Sequence, residues 1–243
     1  MPFPLPMLPT STCNLAKLPQ SHALPFEMAF MKNTILRALN NLYDLAPKIS
    51  SRDPKTRTAL LIYTANLCDI IVYHVENDAH FFKKPGEGGV VLGDILGPAC
   101  MPDMQGVKER TKQLKAMVDR WMKTGEYDAS RLLAALTLGD ELFQKMRQQV
   151  MAIDVHRVSA SVPEDVLHRM VQGKSSNVHR FASQLDIQFL VPFLCSHHDR
   201  TTSQYWPPVS PEGRQAMPDL IKQFHMCWDL SPFDCISGKR NTM

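Results

Sequence analysis

The residues best suited to chemistry lie on one predicted helix, where His74 and Asp78 are four positions apart. Side chains with this spacing point the same way from an α-helix, one turn from each other. Both continue an apolar stripe that includes Leu67 and Ile71, so the pair is expected on a buried helix face. A histidine oriented by a carboxylate can act as a general acid or base near neutral pH. The pair therefore predicts a proton-transfer site inside the fold.

Two lysines fall on the buried faces of other predicted helices. Lys32 is four residues from Met28 and three from Ile35, and Lys145 follows the stripe of Leu142. Because burying an unpaired charge is costly, we expect both lysines to approach the histidine and the aspartate near the middle of the fold. A lysine there would assist proton transfer or stabilise a developing oxyanion. These groups suit a metal-free dehydration, isomerisation or cyclisation.

The elements that must position these residues are long helices, because apolar residues repeat at helical spacing. The sequence predicts an all-α fold, an up-down four-helix bundle with helices over residues 26–44, 55–82, 104–124 and 130–153. Pro47 is expected to end the first helix. The glycine- and proline-rich segment 83–103 is expected to be an irregular connection.

The chain divides into three predicted parts. They are a Pro-rich arm (1–25), the bundle (26–153) and a C-terminal extension (154–243) that packs on the bundle. Short helices are expected in the extension over 163–172, 177–185 and 218–227. The segment 191–213 between them is expected to be a loop.

Composition narrows the class of partner. The net charge is +3 and its charges are interspersed, which argues against nucleic-acid and membrane-surface partners. Thr64, Asn66 and Asp69 interrupt the longest apolar run, which argues against a transmembrane span. The six cysteines are scattered without a CxxC pair, a pattern typical of a reducing compartment. We therefore expect a cytoplasmic protein with a hydrophobic small-molecule partner, and we leave homo-oligomerisation open.

Several segments resemble the fungal type of hemerythrin-like (HHE cation-binding) proteins. The segment MKNTILRALNNLYDLAP (31–47) is similar to their first helix, and HVEND (74–78) before FF (81–82) is similar to their second-helix HxxxE and FF. EYDASRLLAAL (126–136) is similar to the start of their fourth helix, and CWDLSPFD (227–234) to their C-terminal tail. The resemblance implies a four-helix bundle for most of residues 26–235. In that family histidines and carboxylates on all four helices bind two irons.

This chain departs from the family at most of the ligand positions that the resemblance implies. His74 is kept and Asp78 stands for a glutamate, whereas other residue types replace the remaining ligands: Lys32, Val107, Thr111, Lys145 and Gln149. One imidazole and one carboxylate cannot hold two irons, and ammonium groups would repel a cation. We therefore expect neither a metal nor a cofactor.

Three functions remain open for the centre of the bundle. The first is a metal-free enzyme of fungal-type natural-product biosynthesis that dehydrates and cyclises a hydrophobic substrate. A hetero-Diels–Alder pericyclase is the specific form suggested by analogy with repurposed scaffolds of such pathways. The second is a ligand-binding or structural protein in which lysines replace the metal charges, and the third is a residual mononuclear metal protein. A substrate pocket would be lined by residues from all four helices: Met28, Leu67, Ile71, Thr111, Leu114, Trp121, Leu142 and Gln149.

Two motifs in the extension are interpreted as structural. His197, His198 and Asp199 are adjacent, so their side chains diverge, and a solvated turn is expected rather than a metal site. Tyr205 and Trp206 precede two prolines and are expected to pack back on the bundle.

Overall fold

The computed structural model describes residues 3–49, 53–173 and 177–241, and within these ranges it forms helices and no β-strand. The predicted all-α class is confirmed. The helices are α1 (Gln20–Ile49), α2 (Pro54–Lys83), α3 (Leu92–Leu96), α4 (Gln105–Thr124), α5 (Ala129–Leu136), α6 (Leu138–Met151), α7 (Val155–Ser161), α8 (Glu164–Gln172), α9 (Asn177–Ala182), α10 (Ile187–Ser196), α11 (Pro211–Leu220) and α12 (His225–Asp229). Residues 1–2 of the predicted arm, and 174–176 and 242–243 of the predicted extension, lie outside the described residues.

Helix α1 is longer than predicted at both ends, because it includes Pro25 and Pro47 near its termini. A proline there removes one hydrogen bond but leaves the rest of the helix intact. At the C-terminal end the Tyr127 hydroxyl donates to the Ala46 carbonyl at 2.6 Å, which supplies a partner that the helix end lacks. The prediction that Pro47 ends this helix is wrong, and the predicted arm boundary at 25–26 falls inside α1.

Helix α2 matches its prediction to within one residue at each end. Asp53 caps it by accepting hydrogen bonds from the Lys55 and Thr56 backbone N–H groups at 2.9 and 3.1 Å. This helix is long and apolar enough to cross a membrane, yet 67% of its most apolar stretch is buried inside the protein. A central core helix has the same length and composition.

The main core lies between α1, α2, α4, α5 and α6, and buried residues of α10, α11 and α12 extend it. Helix α1 packs against α2, α5 and α6, and α4 packs against α2, α5 and α6. Helix α4 ends at Gly125, whose φ of 74° is the left-handed conformation that closes many helices. The predicted fourth helix is wrong in one respect, since it is two helices that meet at Thr137. The Thr137 hydroxyl donates to the Ala134 carbonyl at 2.7 Å, a local bond that competes with helix continuation.

The segment between α2 and α4 is more ordered than predicted. Helix α3 and two short 3-10 turns occupy it, and Leu92, Leu96 and Cys100 are buried. These residues belong to a second core that α7 and α8 complete: Leu24, Phe81, Phe82, Leu92, Leu96, Cys100, Ile153, Val158, Val162, Leu167, Met170 and Val171. The prediction that segment 83–103 is an irregular connection is therefore wrong, because the segment contributes a helix and buried residues to this second core.

Two asparagines on α1 fasten the arm that precedes the helix. Asn40 accepts from the Leu5 N–H at 2.6 Å and donates to the Leu5 carbonyl at 2.9 Å. Asn33 makes the same pair of bonds with Leu8, at 2.7 and 2.9 Å. Leu5 and Leu8 are 2% and 3% exposed and pack into the main core, so the arm is part of the folded unit.

The C-terminal extension contains more helix than predicted. Helix α10 occupies residues 187–196, where part of the predicted loop was placed, and α11 and α12 replace the single helix expected over 218–227. The helices expected over 163–172 and 177–185 are present as α8 and α9. The segment after α12 packs on α1, because the Asn41 amide donates to the Leu230 carbonyl at 2.7 Å. The Arg37 guanidinium also lies over the Phe233 ring, 5.8 Å from its centroid.

Candidate functional site

Helices α1 and α2 bring Lys32, His74 and Asp78 into one buried cluster. The Lys32 ammonium makes an ion pair with Asp78 Oδ2, and its Nζ lies 3.2 Å from His74 Nε2. His74 Nε2 is 3.4 Å from the same Asp78 oxygen, as expected for residues one turn apart. Lys32 is fully buried, and His74 and Asp78 are 6% and 8% exposed. The predicted meeting of these three residues is confirmed.

The imidazole of His74 is neutral at physiological pH. Burial, assisted by the positive charge of Lys32, lowers the pKa of His74 to about 4, against the opposing effect of Asp78. An ammonium group can only donate, so His74 Nε2 accepts the Lys32 hydrogen bond and the ring proton lies on Nδ1. The cluster thus holds a carboxylate, an ammonium and a neutral imidazole within hydrogen-bond reach.

Helix α9 and the residues after it cover the cluster. The Phe181 ring meets the His74 ring edge-on, with centroids 6.2 Å apart. One turn along α2, Asn77 donates to the Gln184 side-chain oxygen at 2.6 Å and to the Tyr73 carbonyl at 2.8 Å. Asn77 Oδ1 is buried and has no hydrogen-bond partner among the residues that the structure describes. Helix α9 and the residues after it therefore shield His74 from solvent.

Lys145 does not join the cluster, so the prediction that both lysines meet there is wrong. Its amine pairs with Glu141 Oε1 at 2.5 Å and donates to the Asp103 carbonyl. Glu141 also pairs with Arg110, so these side chains form a part-exposed network on α4 and α6. A long lysine side chain can reach the protein surface from a position beside the core, which is why the helical stripe was misleading.

The residues predicted to line a pocket pack as core instead. Thr111 is fully buried and donates to the Val107 carbonyl, and the Gln149 amide donates to the Cys100 carbonyl at 3.1 Å. Met28 is half-buried, and the apolar members are at most 2% exposed: Leu67, Ile71, Leu114, Trp121 and Leu142. Two cavities stand out in the described structure, and none of these residues lines either of them.

One of the two cavities is an apolar groove of about 310 Å³ between the start of α2 and α12. Ala59 and Ile62 form one wall, and Phe224, Met226 and Cys227 form the other. Ile62 is twelve residues from His74 on the same helix, a separation of about 18 Å at 1.5 Å per residue. The groove and the buried cluster are therefore separate features.

The described ranges contain no group of three or more His, Cys, Asp or Glu side chains arranged to hold a metal ion. At the cluster, the Lys32 ammonium contacts both His74 Nε2 and Asp78 Oδ2, the two atoms that would bind a cation. The donor set of one imidazole and one carboxylate beside an ammonium is poor for Zn²⁺ or iron.

A second buried histidine corrects the interpretation of His197, His198 and Asp199 as a solvated turn. His197 is fully buried, and burial lowers its pKa to about 3. Its Nδ1 donates to the Phe193 carbonyl at 2.9 Å, so Nε2 accepts from the Tyr63 hydroxyl at 2.6 Å. His198 is also buried and packs against Trp206. Trp206 stacks on Phe30 of α1, as expected, whereas the expected packing of Tyr205 is wrong, since that residue is 45% exposed. Both histidines follow directly after the C-terminal end of α10, and both are buried.

Sequence reasoning missed the side chains that cover the cluster. Phe181 and Gln184 are about 100 residues from His74 along the chain, and their helix has no pattern that relates it to α2. Asn77 did carry a signal, since it is a polar residue on a long and largely apolar helix. A polar side chain there needs a partner from another element.

Comparison with known proteins yields no match: no protein-family model, no curated protein and no solved structure is significantly similar to this chain. Function is therefore inferred from the site itself and from the motifs of the sequence.

Proposed function

We propose that this protein is a metal-independent enzyme with the core of a hemerythrin-like up-down four-helix bundle. In this proposal α1, α2, α4 and the α5–α6 pair are the four members of the bundle. Their mutual packing and the motifs that resemble the fungal hemerythrin-like proteins support it. The proposed partner is a hydrophobic small molecule in the cytoplasm, without nucleic acid or membrane.

The observation that carries the proposal is the neutral His74 beside the Lys32 ammonium and the Asp78 carboxylate. A fully buried, low-pKa imidazole with two charged neighbours is the kind of perturbed group that concentrates at active sites. The proposed reaction is the dehydration of a β-hydroxy carbonyl compound. The product would be a conjugated alkene suited to cyclisation, of which a hetero-Diels–Alder addition is one form.

In this reaction the Lys32 ammonium turns from His74 Nε2 to the substrate carbonyl oxygen, where it stabilises the oxyanion that develops. The freed Nε2 takes a proton from the carbon next to the carbonyl group. The protonated His74 then returns the proton to the departing hydroxyl group, so the substrate loses one water and nothing is oxidised or reduced. A histidine with a low pKa is a weak base but a strong acid once protonated, which favours this second step. Asp78 holds Lys32 in place as a positioning residue.

The test measures exchange of the α-proton of a hydrophobic β-hydroxy ketone in D₂O, together with loss of water, by mass spectrometry. We expect wild type to catalyse both and His74→Gln to lose at least about a hundredfold, as general acid–base groups contribute that much. His156→Gln, a change at an exposed histidine on α7, is the matched control. Circular dichroism verifies that the variants fold. Equal rates in wild type and His74→Gln across a panel of such ketones would reject the proposal.

Access to the cluster is tested through Phe181. Phe181→Ala removes the ring that covers His74, so we expect several-fold faster modification of His74 by diethyl pyrocarbonate, which attacks neutral imidazole. Val178→Ala on the same helix is the control, because Val178 is 57% exposed. Peptide mapping identifies the modified histidine. An unchanged rate at His74 would show that α9 does not control access.

A second candidate function is structural, and the complete burial of Lys32 favours it. On this hypothesis the ammonium replaces a cation and joins α1 to α2 through Asp78 without any reaction. It predicts that His74→Gln has no effect on any substrate, whereas loss of Lys32 destabilises the fold. The two candidate functions therefore predict different activities for His74→Gln: a large loss for the enzyme and no change for the structural protein.

A further inference from the structure

We propose that the second cavity is a binding site for a small oxyanion, held by Arg200 and Arg214. The cavity has a volume of about 90 Å³ and lies between the end of α10, helix α11 and the C-terminal segment around Cys235. It holds about three molecules of water at ~30 Å³ each, which is the size of acetate or phosphate. This site is separate from the His74 cluster and does not depend on the proposed reaction.

The charge of the cavity is the first support. Its two charged lining residues are both arginines, and within the described ranges no carboxylate oxygen lies within 4.0 Å of either guanidinium. Asp234 feels the field of Arg200, but it accepts from the Ser237 N–H and hydroxyl through Oδ1, at 2.6 Å each, and makes no ion pair with Arg200 in the described structure. Two guanidinium groups without an ion-pair partner at one cavity attract an anion.

The thiols in the wall do not supply that anion. Burial raises the pKa of Cys195 to about 11, although both arginines act in the opposite direction. Burial likewise raises the pKa of Cys235 to about 12. Both cysteines are therefore neutral at physiological pH, and the positive charge of the cavity stays uncompensated by its own lining.

The backbone holds Arg200 in position for this role. Its two Nη groups donate to the Ser237 and Ile236 carbonyls at 2.9 and 2.8 Å, which leaves the remaining N–H groups for a ligand. Gly238 gives the guanidinium room, because a Cβ at that position would lie 2.4 Å from Arg200 Nε. The side chain is thus fixed before any ligand arrives, which lowers the entropic cost of binding.

Arg214 approaches the cavity from α11 and is exposed. Its Nε donates to the Val209 carbonyl at 3.3 Å, so both Nη groups remain available for the two oxygens of a carboxylate or phosphate. Trp206, Val209 and Met217 form apolar walls. These walls displace part of the water around a bound anion, which strengthens its attraction to the guanidinium groups.

The experiment measures binding of sodium phosphate, sodium acetate and neutral acetamide by isothermal titration at pH 7 and constant ionic strength. We expect saturable, millimolar binding of at least one of the two anions and none of acetamide. Binding of acetate alone identifies a carboxylate ligand, and binding of phosphate alone identifies a phosphate ligand. Trp206 fluorescence should change on binding, and Trp206→Phe should abolish that change.

Arg214→Gln is the decisive variant, because it removes a charge from an exposed side chain with one hydrogen bond to the protein. We expect it to weaken anion binding at least about tenfold, as loss of charge-assisted hydrogen bonds does. Arg157→Gln, an exposed arginine on α7, and His74→Gln should both bind as wild type does. The proposal is overturned if neither anion binds saturably, if acetamide binds equally, or if Arg214→Gln binds as tightly as Arg157→Gln.

Discussion

Lys32 is the residue whose burial depends most directly on one partner. Its ammonium has no exposure to solvent, and Asp78 supplies the opposite charge from the neighbouring helix. The gain from such a pair is offset by the cost of removing both charges from water. The pair therefore need not stabilise the fold relative to apolar side chains, but either charge alone is strongly unfavourable.

The first prediction tests this balance. Lys32→Met leaves Asp78 buried beside a neutral side chain, and we expect a loss of about 3–5 kcal/mol in the free energy of unfolding. The double variant Lys32→Met/Asp78→Leu should recover most of that loss, because no unpaired charge remains. Urea denaturation at pH 7 measures both. Lys48→Met, which breaks an exposed pair with Asp44, should change stability by no more than about 1 kcal/mol.

The second prediction concerns the two buried histidines. In the folded protein the pKa values of His74 and His197 are about 4 and about 3, below the ordinary value of 6.5. Below pH 6.5 the unfolded chain therefore binds more protons than the folded one, and stability falls as the pH falls. We expect each histidine to contribute a loss of about 2 kcal/mol between pH 7 and pH 5.

Denaturation of wild type and of His74→Gln across this range measures the effect. The variant should lose less stability on acidification than wild type, whereas His156→Gln, at an exposed site, should keep the wild-type slope. Identical slopes in all three proteins would contradict the burial of a neutral His74.

At the scale of elements, α1 depends on side-chain amides for much of its contact with distant segments. Asn33 and Asn40 are seven residues apart, two turns of the helix, and each bonds both backbone groups of an arm residue. In the same helix, Asn41 binds the segment after α12. One helix thus holds extended chain from both directions by pairing its amides with peptide groups.

The third prediction follows from these amide bonds. Asn33→Ala or Asn40→Ala leaves two backbone groups of the arm without partners, and we expect each to cost about 1–3 kcal/mol. The arm should then become accessible to proteases before the rest of the chain. Limited proteolysis with mass spectrometry measures the first cleavage sites. Asn66→Ala is the control, because the Asn66 amide donates within its own helix, to the Ile62 carbonyl. Equal protease resistance in all three variants would argue that Asn33 and Asn40 do not hold the arm.

At the scale of the whole molecule, the two cores share elements and are joined at Met28, which packs against both. The ends of α1 and α2 also enter the second core through Leu24, Phe81 and Phe82. Because the long helices contribute residues to both cores, neither core can unfold without disrupting helices of the other. The fourth prediction is therefore one cooperative transition, with coincident urea curves from circular dichroism and tryptophan fluorescence. Two separated transitions would show that α7 and α8 unfold independently.

Much of this architecture was predictable because helix signals are local. The apolar stripes located α2 and α4 to within one residue at each end. The meeting of Lys32 with His74 and Asp78 was predictable for the same reason, since a buried charge requires a partner. These inferences needed only the spacing of residues on single helices.

Most of the remainder depended on contacts between distant segments. Lys145 is the exception, because Glu141 lies one helical turn before it and this spacing favours an ion pair along the helix surface over a buried lysine. The burial of His197 depends on Tyr63, 134 residues earlier. The break at Thr137 is a choice between a local hydroxyl bond and helix continuation, and packing decides it.

The fastening of α1 by both the arm and the segment after α12 has a consequence for synthesis on the ribosome. Leu230 and Phe233, which cover α1, lie about 190 residues beyond the partners that bind them, Asn41 and Arg37. At a translation rate of roughly 5–20 residues per second, that face of α1 stays uncovered for on the order of 10–40 seconds until residues 230–233 have been synthesised. A nascent chain with an uncovered apolar helix for so long is a natural client for chaperones, and slow codons before residue 230 would lengthen that exposure.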